Sequence, residues 1–201
     1  MNVLITGGAG FIGSHLTERM LGEGRRVTVL DDLSTGWIDN LRRAFDYPGF
    51  EFVEGSVLDA GTVQPLVAQS DLVVHLAAAV GVRYVLDHPL ATIRTNVEGT
   101  HTVLDACGHF GKKTLVASTS EVYGKNSSDG LCETADSILG ASSLSRWSYA
   151  TSKKLDEFLA LAYATTHGLP VVVTRCPHGA RRWLPRAALT FDVHIPARGQ
   201  A

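Results

Sequence analysis

The chain has 201 residues, of which 45% are hydrophobic and 19% are charged, and its formal net charge is −2. This composition supplies enough apolar side chains for a packed domain and excludes a chain that is disordered throughout. The small net charge speaks against a nucleic-acid-binding or membrane-surface protein, and no apolar run approaches the ~20 residues of a membrane helix. Cys107, Cys132 and Cys176 are widely spaced, and the chain opens directly into an apolar run. We therefore expect a cytoplasmic protein without a disulfide framework, a metal site or a signal peptide.

Short apolar runs alternate with longer helical stretches along the chain. The predicted strands are residues 2–6, 26–31, 50–54, 72–75, 114–117 and 170–174, and the predicted helices are residues 11–21, 37–45, 63–69, 89–109 and 147–167. Near-continuous apolar strands are typical of a parallel sheet that is covered on both faces. The pattern predicts an α/β fold, with a doubly wound, Rossmann-like parallel sheet in a three-layer αβα arrangement.

Two regions interrupt the alternation. Residues 125–146 are rich in Ser, Gly and Asp, which predicts a long surface loop, and loops of this length are usually functional. The segment 176–201 carries Arg181, Arg182, Arg186 and Arg198 against Asp192. We expect residues 1–175 to form the folded domain and residues 176–201 to form an atypical Arg/Pro-rich tail.

A glycine-rich turn follows the first predicted strand and opens the first helix. Its spacing is Gly7-x-x-Gly10-x-x-Gly13. Glycines allow a tight turn and let backbone N–H groups approach a pyrophosphate, and the helix N-terminus adds a partial positive charge. An ordinary strand-to-helix turn is the alternative for the turn taken alone.

Asp31 ends the second predicted strand, close to the ~20-residue offset at which an acidic residue meets the adenosine ribose of a dinucleotide. A carboxylate at this place accepts hydrogen bonds from the ribose hydroxyls and repels a 2′-phosphate. The turn and Asp31 together predict binding of NAD in preference to NADP. The alternative for Asp31 alone is a solvated strand end or a helix cap.

Tyr149 and Lys153 are four residues apart in the last predicted helix and share one face. A nearby ammonium lowers the pKa of a phenol, whose ordinary value is about 10, and prepares it to act as a base. Thr119 and Glu121 follow the fifth strand, where doubly wound sheets bind their ligands. Thr119 is a candidate for binding a substrate oxygen, and Glu121 is a candidate general acid or base. The alternative for Tyr149 and Lys153 alone is a solvated helix face, and the alternative for Thr119 and Glu121 alone is a capped turn.

In combination these motifs resemble the extended short-chain dehydrogenase/reductase family, specifically its NAD-dependent nucleotide-sugar epimerases and dehydratases. The resemblance covers residues 1–175 and rests on residues 7–13, 31–36, 75–78, 95–100, 119–121 and the Tyr149–Lys153 pair. It implies that NAD⁺ takes a hydride from C4 of the sugar while Tyr149 takes the hydroxyl proton, that Lys153 holds the nicotinamide ribose, and that a 4-keto sugar results.

The resemblance also implies the residues of the site. Tyr149, Lys153, Thr119 and Glu121 would be catalytic, and substrate contacts would come from Arg83, Thr119, Ser120 and Tyr149. Cofactor contacts would come from Tyr149, Lys153 and the following residues: Gly7, Gly10, Phe11, Ile12, Gly13, Asp31, Asp32, Ser34, Gly36, Ser56, Val57, Leu76, Ala77, Ala78 and Asn96. No residue is expected to bind a metal.

The subfamily stays open at this point. Residues 80–89 resemble UDP-sugar 4-epimerases, so we expect a UDP-sugar 4-epimerase or dehydratase. Thr119-Ser120-Glu121 also resembles UDP-glucuronate decarboxylases and GDP- or dTDP-sugar 4,6-dehydratases, in which the Glu takes part in the later step. Two further alternatives are a non-catalytic NAD-binding remnant and a reductase of small carbonyl compounds.

The resemblance ends after Arg175, where Cys176-Pro177-His178-Gly179 departs from the family pattern and His178 replaces an Asn that would face the substrate. Relatives continue into a second domain that binds the nucleotide sugar. We therefore expect a chain without that domain, in which NAD binding survives better than turnover. We also expect a homodimer through helices 89–109 and 147–167, and no nucleic-acid or membrane partner.

Overall fold

A computed structural model describes residues 1–128 and 131–176. Its strands are β1 (Asn2–Thr6), β2 (Arg26–Asp31), β3 (Phe50–Glu54), β4 (Leu72–His75), β5 (Lys113–Thr119) and β6 (Val171–Cys176). Its α-helices are α1 (Phe11–Gly22), α2 (Ala60–Gln69), α3 (Val82–Asp87), α4 (Pro89–Ile93), α5 (Gly99–Phe110) and α6 (Ser148–His167). None of these helices is both long enough and apolar enough to span a bilayer.

All six strands lie parallel in one sheet with the order β3-β2-β1-β4-β5-β6. The chain runs from β1 outward to β3, returns to β4 on the other side of β1, and then runs outward to β6, so the order reverses between β1 and β4. The carboxyl ends of β1 and β4 therefore face the crevice in which doubly wound sheets bind their ligands. This arrangement confirms the predicted Rossmann-like α/β fold.

Alternate side chains of the strands enter two different cores. Leu4, Leu30 and Val73 join one buried cluster with side chains of α2, α5 and α6. Val3 and Ile5 point to the opposite face and join a second cluster that includes Leu21 of α1 and other side chains of β2 and β4. Because both faces of the sheet are covered, its central strands are apolar throughout, as the sequence indicates.

Several predicted helices differ from those observed. The region 37–45 forms two short 3-10 helices, Ile38–Leu41 and Ala44–Asp46, in place of one helix. α2 begins earlier than predicted because the Asp59 side chain accepts a hydrogen bond from the Gly61 N–H at 3.0 Å and caps the helix.

The predicted helix 89–109 is divided by one π-helical stretch, Arg94–Glu98, between α4 and α5. A π-turn inserts one residue into a helix and turns the side chains after it, and such turns are frequent at functional sites. The short helix α3 was not predicted. In the region 125–146, the described residues are mostly irregular, with short turns, a bridge between Ile138 and Gly124, and the start of a 3-10 helix, Ser145–Trp147. The predicted tail beyond Cys176 lies outside the described residues.

Candidate active site

The glycine turn lies between β1 and α1 and packs against the chain that follows β4. Gly7 has a φ of +73°, and a Cβ at this position would lie 2.6 Å from the backbone nitrogen of Ala77. A Cβ on Gly13 would lie 2.6 Å from the Cα of Gly8. Gly10 caps α1 without a side chain, and Phe11 is half exposed. The backbone N–H groups of the first helical turn are thus open to an anionic ligand.

Asp31 is buried at the end of β2 and contacts two neighbouring loops. Its Oδ2 accepts a hydrogen bond from the Ala9 N–H at 2.8 Å, and its Oδ1 accepts one from the Leu33 N–H at 2.9 Å. Burial raises the pKa of this carboxyl, while the two backbone N–H groups oppose that rise. Asp31 therefore holds the glycine turn as well as standing at the predicted ribose position, and each carboxylate oxygen keeps a further lone pair for a ligand.

Asp32 and Ser34 lie beside Asp31 on the exposed side of the loop. Asp32 Oδ1 accepts hydrogen bonds from the Ser34 N–H at 3.0 Å and from the Ser34 hydroxyl at 2.6 Å. Gly36 approaches the same corner so closely that a Cβ would lie 3.0 Å from Asp31 Oδ1. The predicted ribose-binding residues therefore form one compact loop.

Asn96 lies on the π-helical stretch and joins the loop after β4 to α6. Its Oδ1 accepts a hydrogen bond from the Ala79 N–H at 2.8 Å, and its Nδ2 donates one to the Ser152 hydroxyl at 3.1 Å. Ser152 in turn donates to the backbone carbonyl of Tyr149 at 2.8 Å. Asn96 was predicted as a cofactor contact, but it is fully buried in this conformation. The family resemblance also implies that Asn96 supports the site from its helix, and its contacts between Ala79 and Ser152 are consistent with that role.

Tyr149 and Lys153 lie in the first two turns of α6, but their electrostatics differ from the prediction. The Lys153 ammonium lies 2.9 Å from Asp156 Oδ2, and both side chains are buried. Burial raises the pKa of Tyr149, and the charges that Glu121, Cys176 and Asp156 carry when ionised raise it further. The pKa of Tyr149 is therefore raised and not lowered as expected from Lys153, and burial of the phenol is the largest cause.

The end of β5 brings further polar side chains to Tyr149. The Thr119 hydroxyl accepts a hydrogen bond from the Glu121 N–H at 3.3 Å, which fixes the turn after the strand. Glu121 and Ser120 are half-buried in this turn. Cys176 of β6 pairs in register with Thr119 of β5. The site therefore contains a thiol that sequence reasoning missed, since the register of β5 and β6 is not visible in the sequence.

A buried ion pair holds β5, β6 and α6 together directly beneath the site. Arg175 donates from Nε and from Nη2 to the two carboxylate oxygens of Glu157, each at 2.8 Å. The Ser118 hydroxyl donates to the same carboxylate at 2.6 Å, and Arg175 also donates to the Glu133 carbonyl at 3.0 Å. Sequence reasoning missed this group, although Glu157 follows Lys153 by one helical turn.

Three predicted site residues lie farther out. Arg83 is exposed on α3, where its Nε lies 3.6 Å from Asp87 Oδ2. Ser56 Oγ accepts a hydrogen bond from the Leu58 N–H at 3.3 Å. The Val57 side chain is buried in the core against Gly99, so only its backbone can face a cofactor. Leu76, Ala77 and Ala78 are half-buried in the loop after β4, and His178 lies outside the described residues.

The amino-acid sequence is similar to those of known proteins. A sequence model of the family described as GDP-mannose 4,6 dehydratase matches residues 4–182. UDP-N-acetyl-alpha-D-glucosaminuronate decarboxylase from Bacillus cytotoxicus is 43% identical over 173 residues, which are 86% of this chain and 52% of that protein. The chain spans about half the length of the curated relatives it matches.

Solved structures show the same fold. dTDP-glucose 4,6-dehydratase from Streptomyces venezuelae, solved with NAD bound, has a TM-score of 0.79 and 36% identity over 88% of this chain and 55% of that chain. UDP-glucose 4-epimerase from Thermotoga maritima, solved with UDP-glucose, has a TM-score of 0.77 and 30% identity over 87% of this chain and 55% of that chain. The family resemblance predicted from the sequence is thereby confirmed. The chain belongs to the GDP-mannose 4,6 dehydratase family, among the nucleotide-sugar dehydratases, epimerases and decarboxylases of the short-chain dehydrogenase/reductase type.

Proposed function

We propose that this chain binds NAD and oxidises C4 of a nucleotide sugar, most consistently as a UDP-sugar 4-epimerase or dehydratase. One observation carries the proposal: the loop beside the glycine turn is joined to the catalytic helix through Asn96 and Ser152. This link fixes Tyr149 relative to a ligand that lies along the carboxyl ends of the strands. Relatives with these activities support the same assignment.

The residues present fit NAD. Gly7 and Gly13 lie where a Cβ would collide with neighbouring backbone, and no side chain caps the N-terminus of α1, so a pyrophosphate can approach the first N–H groups of this helix. Asp31 offers carboxylate lone pairs to a ribose, and its negative charge disfavours a 2′-phosphate. Solved relatives contain bound NAD.

When bound, NAD⁺ supplies a hydride acceptor and a positive ring that lowers the pKa of a neighbouring phenol. Tyr149 then accepts the proton of the C4 hydroxyl, and the Thr119 hydroxyl donates a hydrogen bond to the C4 oxygen. Lys153 holds the nicotinamide ribose with its ammonium. Tyr149 would return its proton to the C4 oxygen when the 4-keto sugar is reduced again, and reduction on the opposite face of the sugar would give the epimer.

Glu121 supports a second candidate reaction. It lies half-buried in the turn after β5, and its charge contributes, after burial, to the raised pKa of Tyr149. A carboxylate in this place can move a proton at a carbon next to the 4-keto group. UDP-glucuronate decarboxylation and 4,6-dehydration of a GDP- or dTDP-sugar are therefore the alternatives, and curated relatives carry out reactions of these classes.

The experiment is a turnover assay of the full chain with NAD⁺ and UDP-glucose, dTDP-glucose, GDP-mannose or UDP-glucuronate, with products separated by chromatography. We expect one of these sugars to be converted and Tyr149→Phe to abolish the conversion. Equal turnover by Tyr149→Phe contradicts the assigned base. Binding of NAD⁺ without conversion of any sugar shows a non-catalytic module, and reduction of small ketones by NADH alone shows a simple reductase.

We further propose that the chain forms a homodimer and works in the cytoplasm. Phe158 and Leu155 are exposed on α6, and Phe110 is exposed at the end of α5, which supports a helical interface with a second copy. Cys107, Cys132 and Cys176 are free thiols, as is usual in a reducing compartment. Sedimentation equilibrium tests the dimer, and a strictly monomeric chain contradicts it.

A further inference from the structure

Arg175 lies one residue before the end of β6 and takes no part in the proposed reaction. Its side chain is only 13% exposed. It donates two hydrogen bonds of 2.8 Å to the Glu157 carboxylate of α6 and one of 3.0 Å to the backbone carbonyl of Glu133. Because a guanidinium is planar and its N–H groups point outward in that plane, these hydrogen bonds leave its faces open to an aromatic ring.

The ring of Tyr123 occupies one of these faces. The distance from Arg175 Cζ to the ring centroid is 4.8 Å, which is within the range of a cation–π contact. Tyr123 is only 9% exposed, so water screens this contact little. The hydrogen bond to Glu157 is the largest cause of the raised pKa of Arg175, and Tyr123 raises it further. Arg175 therefore interacts directly with both side chains.

Tyr123 belongs to the same short turn as Glu121. This turn is a 3-10 helix, Ser120–Tyr123, that directly follows β5. At its start the Thr119 hydroxyl accepts a hydrogen bond from the Glu121 N–H at 3.3 Å, and at its end the Glu121 carbonyl accepts one from the Gly124 N–H at 3.0 Å. A 3-10 helix of four residues has few hydrogen bonds of its own. Its position therefore depends on contacts with its surroundings.

The backbone after this turn is fixed by a returning segment at Ile138. The Ile138 N–H donates to the Tyr123 carbonyl at 3.2 Å, and the Ile138 carbonyl accepts from the Lys125 N–H at 2.7 Å. Gly124 has a φ of +63°, and a Cβ there would collide with the Ile138 carbonyl. The contact of Arg175 with the Tyr123 ring adds a side-chain link from the same turn to β6.

We propose that Arg175 is a positioning residue for Glu121, the candidate acid or base of the step that follows oxidation at C4. Its contact with Tyr123 holds the turn that carries Glu121. Its ion pair with Glu157 holds the guanidinium to α6, the helix that carries Tyr149. One cation thus fixes the elements of two candidate acid–base groups relative to each other. The placement of the turn concerns the chain alone, whereas its consequence for the later step rests on the proposed function.

The two steps of the proposed reaction should respond differently to a displaced turn. Oxidation at C4 uses the Tyr149 phenol and NAD⁺, whereas proton transfer at the carbon next to the 4-keto group uses the Glu121 carboxylate. A misplacement of about 1 Å at a reacting group is enough to slow its step strongly. A loosened turn should therefore slow the later step and spare the first, which forms the reduced cofactor and is visible by its absorbance.

The first test measures amide hydrogen exchange of the Glu121 N–H by NMR in the full chain, relative to the N–H of Val29, which is buried in the central strand β2. Tyr123→Leu removes the ring, whereas Tyr123→Phe keeps it under the guanidinium. We expect the relative rate to rise about tenfold in Tyr123→Leu and to stay within about twofold in Tyr123→Phe. An unchanged relative rate in Tyr123→Leu overturns the proposal, and so does an equal rise in both variants.

The second test uses Arg175→Lys, which also serves where Tyr123→Leu fails to fold. A lysine keeps the charge beside Glu157, but its ammonium cannot bind both carboxylate oxygens and also present a flat face to Tyr123. With UDP-glucuronate or dTDP-glucose we expect the affinity for NAD⁺ and the formation of reduced cofactor to stay within about twofold, and final product to form about tenfold more slowly. Arg19→Lys, at an exposed pair on α1, is the control and should change neither step. Equal slowing of both steps, or of neither, overturns the proposal.

These outcomes separate the inference from the proposed function. A chain that converts none of the sugars defeats the proposed function, while hydrogen exchange of the Glu121 N–H still decides whether Arg175 fixes the turn through Tyr123. A chain that converts a sugar but whose Glu121 N–H exchanges alike in all variants keeps the proposed function and loses the inference. A chain that only epimerises its sugar has no later step for Glu121 and also overturns the inference.

Discussion

Asp31 shows how one side chain can serve stability and specificity together. Its two carboxylate oxygens accept backbone N–H groups from the glycine turn and from the loop after β2. Both loops lie at the place where the adenosine of the dinucleotide is predicted to bind. The carboxylate therefore organises both loops without a ligand, and we propose that its charge disfavours a 2′-phosphate.

We predict two measurable effects of Asp31→Asn. An amide can accept from only one of the two N–H groups, so the free energy of unfolding should fall by about 1–3 kcal/mol. The preference for NAD⁺ over NADP⁺ should narrow by roughly tenfold, because the charge that repels a 2′-phosphate is gone. Urea unfolding and calorimetry measure these effects.

Asp39→Asn is the control, since Asp39 is an exposed carboxylate in the following 3-10 helix. It should leave both quantities within error of the unaltered chain. A preference for NAD⁺ that survives intact in Asp31→Asn would show that Asp31 does not select the cofactor.

At the same scale, the spacing of Tyr149 and Lys153 is visible in the sequence, but their electrostatics are not. Glu121, Cys176 and Asp156, which raise the pKa of Tyr149, come from three different elements. Their proximity depends on the register of β5 with β6 and on the face of α6 that is buried. The sequence therefore predicts the Tyr149–Lys153 pair, but it does not reveal that the Asp156 carboxylate forms an ion pair with the Lys153 ammonium.

At the scale of elements, α1 can approach the glycine turn only because Gly13 has no side chain. We predict that Gly13→Ala destabilises the chain by about 1–3 kcal/mol through overpacking and weakens NAD⁺ binding, because its Cβ would displace the backbone of Gly8. Thermal unfolding and calorimetry are the measurements.

Gly22→Ala provides a control in the same helix. A Cβ at Gly22 meets nothing within 4 Å, so this change should be neutral or stabilise the chain by up to about 1 kcal/mol. Equal effects of the two substitutions would mean that helix propensity, and not the approach of α1 to the turn, decides the outcome.

The hydrogen bonds of Glu157 with Arg175 and Ser118 join β5, β6 and α6. They also make the stability of the folded chain depend on pH. Burial opposes the charge of Glu157, but the Arg175 guanidinium and the Ser118 hydroxyl together lower its pKa below the ordinary value of 4.5. A carboxyl with a lowered pKa in the folded state contributes stability above its ordinary pKa and loses that contribution as the pH falls through the folded value.

We therefore predict that Glu157→Gln loses about 1–3 kcal/mol of unfolding free energy at neutral pH, since the part-buried Arg175 loses the carboxylate that neutralises its charge. The loss should shrink as the pH falls from the ordinary value of 4.5 through the lower folded pKa of Glu157, where the carboxylate becomes protonated. Urea unfolding across this range measures both effects. Glu98→Gln, which breaks an exposed pair with Arg94, should cost less than about 1 kcal/mol. A pH-independent difference for Glu157→Gln contradicts this account.

The sequence predicts the bounds of some strands and helices more accurately than those of others. β1 to β4 have the predicted bounds, because buried parallel strands are apolar throughout and end at polar or turn-forming residues. The π-helical stretch was missed, since one inserted residue leaves the helical composition unchanged. Its consequence is the placement of Asn96, whose supporting role depends on this turn.

At the scale of the whole molecule, the strand order places both halves of the predicted site at one edge of a single sheet. A dinucleotide along this edge contacts loops from β1, β2, β4 and β5. Its binding should therefore stabilise the folded chain as a unit.

We predict that NAD⁺ at about one hundred times its dissociation constant adds about 2.7 kcal/mol of stability, or about 5–10 °C in Tm. Differential scanning calorimetry measures this shift, and NADP⁺ at the same concentration should give a smaller one. Equal shifts with both dinucleotides, or none with NAD⁺, would contradict the assignment of the Asp31 loop.

The most direct test is a crystal structure of the full chain with NAD⁺. We expect the pyrophosphate on the N–H groups of the turn at Gly7–Gly13, the adenosine ribose at Asp31, and the nicotinamide ring beside the Tyr149 hydroxyl and the Lys153 ammonium. A dinucleotide bound elsewhere, or one whose nicotinamide ring lies away from Tyr149 and Lys153, would contradict the account.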